Sequence, residues 1–235
     1  MASNIKPYNT HLPINHQKVN ISYLSPEQLD RLTDCFLNYY EEIERYRKAR
    51  GRLCVVYLFL RYTGARLNEV LHINDTTDID FRNSEIRVIT LKQRKKSLRI
   101  VPIHTKAMSE LMIYLSQYPD MKGKIFALTG RAFQLAFKTV CQRAKIPQQL
   151  SHPHILRHTR AIELLRSGVP VTIVQDLLGH SSLNTTAIYL RMSSQEAKMI
   201  LKDRGLIWTI YSILFKFVNI VYPLKKGEYN GAIIL

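Results

Sequence analysis

The stretch "LCVVYLFLRYTG", residues 53–64, is the strongest constraint on the fold. It is apolar almost all the way round a helical projection. A helix without a polar face has to be enclosed by other elements. Gly64 supplies a left-handed stop for such a helix, and "ARLNEVLHI" then resumes a helical pattern. Enclosing a central helix takes a substantial apolar complement. The chain's 235 residues, 46% of them hydrophobic, provide it. That length suits one domain with appendages, or two small domains.

The flanking segments are read from their caps and periodicities. At "SPEQLDRL", Ser25 is the N-cap, Pro26 opens the helix and Gln28 completes a capping box. Leu29, Leu32, Phe36 and Tyr40 form its apolar stripe. A basic run follows from Arg45 to Arg52. "INDTTDIDFRN" is a polar connection. "EIRVITLK" and "SLRIVPI" are β-branched runs separated by "QRKK", which predicts two antiparallel strands with a basic turn. Further helices are expected near 105–118, 130–145, 154–167, 171–178 and 184–191, punctuated by Gly168, Pro170 and Gly179. The fold class is mainly α with a small antiparallel β-sheet (α+β).

Residues 1–24 are polar and read as an N-terminal arm or linker, 25–205 as the main folded domain, and 206–235 as an apolar tail. From Leu206 to Tyr222 only Thr209, Ser212, Lys216 and Asn219 interrupt the apolar run. That is at the bottom of the length range for a membrane span and has a lysine inside it. Docking onto a protein core is the leading reading of the tail, and a membrane role the minor one.

Charge narrows the partner. Thirty-four Lys and Arg against eighteen Asp and Glu give +16, with a pI near 9.9. Such a balance fits a polyanion, above all nucleic acid, with ribosomal or membrane-surface association as bland alternatives. Cys35, Cys54 and Cys141 are odd in number and widely spaced, so neither a disulfide framework nor a zinc knuckle is indicated. The first twenty residues lack the apolar run of a secretory signal, and a cytoplasmic location is the expectation.

Four fragments carry the chemistry. "TGARLNEVL" places Arg66 at a helix start. The basic turn offers Lys92, Arg94, Lys95 and Lys96. "HPHILRHT" sets His154 and Arg157 three apart, on one helical face. "LLGHSSLNTTAIYL" holds His180 and, nine positions on, Tyr189. Each fragment is weak alone, since an H-x-x-R pair or an amphipathic tyrosine is commonplace. In this order and spacing, from about Leu53 to Arg191, they resemble the tyrosine recombinases: phage integrases, Xer-type resolving recombinases and Cre. "TGARLNEVL" resembles the family's first arginine box, "HPHILRHT" its H-x-x-R box and "LGH…Y" its close.

The resemblance implies a tyrosine-recombinase catalytic domain acting as a site-specific DNA recombinase, with double-stranded DNA as partner and a homo-oligomer, a tetramer on DNA, as the working assembly. It implies a role for each matched residue. Arg66 and Arg157 clamp the scissile phosphate, for which a rigid, permanently charged guanidinium fork is suited. His180 is a further donor. His154 takes the phenol's proton or holds the phenol in line. Tyr189 is the nucleophile, giving a 3′-phosphotyrosine that reseals without ATP, metal or other cofactor. A hairpin lysine protonates the leaving 5′-oxygen. Lys92 matches when counting from "RVI", whereas counting back from "VPI" favours Lys95. Glu69 is expected to support Arg66 by a salt bridge.

Most members of that family carry an N-terminal clamping domain of about a hundred residues, and only 65 residues precede Arg66 here. A catalytic fragment or a naturally small member are both open. A type IB topoisomerase shares this chemistry, and a degenerate DNA-binding regulator shares the fold. The short "LGH…Y" spacing favours the recombinase over the former, and the full set of residue types over the latter.

Overall fold

In the computed structural model, residues 22–90 and 97–179 are described. Helix α1 (Pro26–Glu41) begins as its sequence dictates. The Ser25 side chain accepts from Gln28 N–H, and the Gln28 side chain accepts from Ser25 N–H. Its stripe of Leu29, Leu32, Phe36 and Tyr40 is buried. Helix α2 (Arg47–Thr63) contains the all-round apolar run, and Cys54 through Leu60 are buried without interruption. Helix α1 covers one side of it, with the Phe36 and Tyr57 rings stacked at 4.0 Å, and helices α4 (Thr105–Gln117) and α6 (His154–Arg166) cover others. The Tyr57 hydroxyl, enclosed with the rest of α2, is satisfied by Thr33 Oγ1 at 2.7 Å.

Gly64 ends α2 in the left-handed conformation, φ +64°, and a Cβ there would stand 2.6 Å from Leu178 Cδ2. Glycine is needed twice over at this position, for its backbone and for the close approach. The chain then turns into the short helix α3 (Leu67–Leu71).

The sheet has three strands in the order β1 (Ile79–Asp80), β2 (Glu85–Thr90), β3 (Ser97–Pro102), all antiparallel. The two expected strands are present. The third, β1, lies inside the segment read as a polar connection. Its two residues are too few to show an alternation, and Ile79 is recruited by pairing with Ile86. Ile86 and Val88 point into the core, as does Val101 opposite Ile86. Helix α5 (Gly130–Arg143) packs on α1 and buries Phe133, Phe137 and Val140. Helix α7 (Val171–Leu178) closes on α6 through Val174 and Leu178, which meet Ala161.

Much of the basic run at 45–52 is engaged internally. Arg50 stacks 3.9 Å above the Tyr39 ring and pairs with Glu42, while Arg52 donates to the carbonyls of Lys124, Ile125 and Ala127. Among the described residues no helix is long and apolar enough to cross a membrane. The expected helix at 184–191, the basic turn at 91–96 and the tail at 206–235 lie outside the described residues.

Candidate active site

Arg66 stands at the start of α3, directly after the Gly64 turn. Its backbone N–H donates to Glu69 Oε2 at 3.0 Å, which satisfies the helix end without using the arginine side chain. The guanidinium is therefore held from the side: Nη1 donates to Glu69 Oε1 at 2.8 Å, with longer contacts from Nη1 and Nη2 to the Gly179 carbonyl at 3.3 and 3.4 Å. About a quarter of the side chain, 24%, remains open to solvent.

Arg157 reaches the same place from the opposite end of the chain. One turn into α6, it is only 2% exposed, and its Nη1 donates to the Gly64 carbonyl at 2.9 Å. The two arginines thus bracket one short piece of backbone, with Arg157 on residue 64 and Arg66 two positions later. Residues 178–179 close the ring, since Leu178 packs against Gly64 and Gly179 meets Arg66. A bidentate pair, Arg61 on α2 with Glu163 on α6 at 2.8 and 2.7 Å, locks the helix carrying Arg157 to the helix leading into Arg66.

His154 opens α6, three residues before Arg157 and on the same face. Its ring meets His158 edge-on, centroids 4.6 Å apart. Burial of its inner side is the main cause that pushes the imidazole down, to about 4, and His158, Arg157, His152 and Arg66 add to this in that order. Its place at a helix N-terminus also disfavours the cation. The outer edge of His154 is exposed, and solvent there moderates the shift without reversing its direction. The imidazole is therefore neutral at pH 7, with a lone pair able to accept a proton. The bond from Arg157 to the Gly64 carbonyl places the H-x-x-R box beside the first arginine box.

Glu69 is 1% exposed and joins two guanidiniums, Arg66 on Oε1 and Arg99 on Oε2 at 2.7 Å. Burial pushes this carboxyl up, but the hydrogen bonds from Arg99, the Arg66 backbone and the Arg66 side chain, with the Arg99 charge, outweigh burial and hold it below its usual range. The salt bridge expected from the sequence is present, and it has a second partner the sequence did not suggest.

Of the six residues singled out from the sequence, the structure brings Arg66, His154 and Arg157 together. Lys92 and its alternative Lys95, His180 and Tyr189 lie outside the described residues. In the chain, His180 follows Gly179, and residues 91–96 connect Thr90 to Ser97. No signal used in the sequence analysis pointed to Arg99. The signal available was positional: it lies opposite Val88, on the inward face of a hairpin whose outward face carries Leu98 and Ile100.

Comparison with known proteins gives the family of the chain. The model of the phage integrase family matches residues 22–196, three quarters of the chain. The chain belongs to the phage integrase family. Curated members include a tyrosine recombinase of Thermosipho africanus, 38% identical over 145 residues, which are 58% of this chain and 48% of that protein. Another is the tyrosine recombinase XerC of Chlamydia pneumoniae, 32% identical over 164 residues, 65% of this chain and 50% of the relative. The chain spans about half the length of the curated relatives it matches. Among solved structures, the XerA recombinase superposes with a TM-score of 0.62 at 24% identity, covering 82% of this chain and 66% of that one. The family fold is thus the α+β catalytic-domain fold expected from the sequence.

Proposed function

We propose that the chain is a site-specific DNA recombinase that cleaves and rejoins double-stranded DNA through a 3′-phosphotyrosine. The observation that carries the reading is that Arg157, from the far end of the domain, bonds the Gly64 carbonyl two residues before Arg66, with His154 one helical turn before Arg157 on the same face of α6. Two guanidiniums meeting beside a neutral imidazole suit one anionic phosphate. Support also comes from membership of the phage integrase family and from the named tyrosine recombinases among its relatives.

In this mechanism the Tyr189 oxygen attacks phosphorus in line. Its proton passes to Nδ1 or Nε2 of neutral His154. Arg66, Arg157 and His180 donate to the two non-bridging oxygens, whose charge grows in the transition state. The bond to the 5′-oxygen breaks, and that oxygen takes its proton from Lys92, or from Lys95 on the alternative count. The phosphodiester becomes a phosphotyrosyl diester, so its energy is conserved and a 5′-hydroxyl reverses the sequence. Residues 25–205 form the catalytic unit in this account. The tail at 206–235 docks on a second copy, the assembly on DNA is a homotetramer, and the setting is cytoplasmic.

Covalent capture tests the reading. The protein is incubated with a pool of nicked duplexes whose central bases are randomised, and DNA that partitions with protein through phenol is sequenced. Wild type is expected to retain a defined sequence, attached at its 3′-phosphate. Tyr189→Phe, which keeps the ring and lacks the nucleophile, is expected to retain none. Equal capture by the two proteins, or attachment at a 5′-phosphate, overturns the mechanism.

A further inference from the structure

Arg99 is the residue most at odds with its position. Strand alternation puts it on the inward face of β3, between Val101 and Ser97 and opposite Val88, while the aliphatic Leu98 and Ile100 face outward. A charge turned inward where the pattern calls for an apolar side chain marks a local conflict maintained for some other purpose. Its partners suggest the purpose. Nη2 donates to Glu69 Oε2 at 2.7 Å, Nη1 to Thr90 Oγ1 at 2.8 Å, and Nε to the Leu177 carbonyl at 3.0 Å. Those partners belong to α3, the last residue of β2, and the end of α7. The guanidinium also lies flat under Gly179, where a Cβ would come within 2.8 Å of Nη1 and 3.0 Å of Cζ. Gly179, at φ +69°, is also held by the Arg66 contacts to its carbonyl.

We infer that Arg99 is a positioning residue of the active site: through Glu69 it fixes the Arg66 guanidinium, and through Thr90 and Leu177 it ties the hairpin and the Gly179 turn to the same point. The inference rests on the reading of the site given under Proposed function. Arg99 does not meet DNA. Its Nε, Nη1 and Nη2 each donate to a protein acceptor, on Leu177, Thr90 and Glu69. Arginine is required because a planar fork reaches three acceptors at fixed angles, which a lysine ammonium on a flexible stem does not reproduce.

The test compares wild type with Arg99→Met, Arg99→Lys and, as a destabilisation control that contributes no side chain to the site, Val140→Ala in the core of α5. Single-turnover adduct formation is measured at saturating concentrations of the captured duplex, alongside the Kd for that duplex and its salt dependence. Arg99→Met is expected to slow cleavage on the order of a hundredfold, as misplacement of a reacting group by about 1 Å does. Arg99→Lys recovers a minor part. Neither variant changes the salt slope of binding, whereas loss of a phosphate contact lowers it by about one. Val140→Ala lowers the melting temperature and cleaves at the wild-type rate. Arg99 variants that cleave like wild type overturn the inference, as does a lowered salt slope or an equal loss in Val140→Ala. Hydrogen exchange without DNA reads the positioning separately. Arg99→Met is expected to speed exchange at 64–71 and 171–179 and Val140→Ala is not, and unchanged exchange in Arg99→Met contradicts the inference. Failure of the wild type to form any adduct sinks the proposed function, and exchange still decides the role of Arg99.

Discussion

Replacing Arg157 by lysine is expected to slow covalent capture of DNA by on the order of a hundredfold or more, with little change in how much DNA is bound. The substitution keeps the charge and much of the stem. It removes the fork, and with it the ability to hold the Gly64 carbonyl while presenting other donors to a phosphate oxygen. Because Arg157 is buried, its guanidinium is already desolvated and oriented before DNA arrives. Donors fixed in advance need no reorganisation during the reaction, which is why losing one costs about 3–4 kcal/mol of transition-state stabilisation. A lysine ammonium, compact and strongly hydrated, is poorly suited to the same enclosed space. Single-turnover rates at saturating duplex measure the effect, and a loss confined to Kd would show that Arg157 binds ground state and transition state alike.

Glu69→Ala is expected to be the most destabilising substitution among the site residues, costing about 3–5 kcal/mol. Without the carboxylate, Arg66 and Arg99 are left facing each other around a buried site, and the Arg66 N–H loses its helix-end acceptor. A domain of this size shifts by roughly 2–4 °C per kcal/mol, so the melting temperature is expected to fall by about 6–20 °C. Glu69→Gln keeps an acceptor for the backbone and is expected to fall less. The pH dependence has a definite sign. The folded carboxyl is held below its unfolded value, so its contribution is complete above the ordinary carboxylate range. It is lost as pH falls through the depressed native value. Thermal melts across that acid range are expected to show the loss in wild type and a shallower slope in Glu69→Gln.

What the sequence disclosed and what it withheld follow from the range of the forces involved. The buried helix α2, the Ser25 cap, the Gly64 stop and the hairpin strands are set by local pattern, and each is readable from neighbouring residues. The meeting of His154 and Arg157 on one face follows from helical spacing alone. Their meeting with Arg66 does not. It depends on the tertiary contact of α6 with the end of α2, and only the order of the family's boxes hinted at it. The second bond of Glu69 was hidden for the same reason. In the sequence Arg99 is one more cation after "QRKK", and two of its three acceptors lie 30 residues before it and 78 residues after it. Strand β1 was missed because its two residues pair only by virtue of β2 beside them.

The account rests on two guanidiniums neutralising the same phosphate. The most direct measurement uses the captured duplex with its scissile phosphate replaced by a neutral methylphosphonate, and compares wild type, Arg66→Ala and Arg157→Ala in single-turnover cleavage. The account predicts that each arginine variant loses far less on the neutral diester than on the natural one, because the charge it would have met is gone. Equal losses on both substrates would show that these arginines serve the fold, and that the phosphate is held elsewhere.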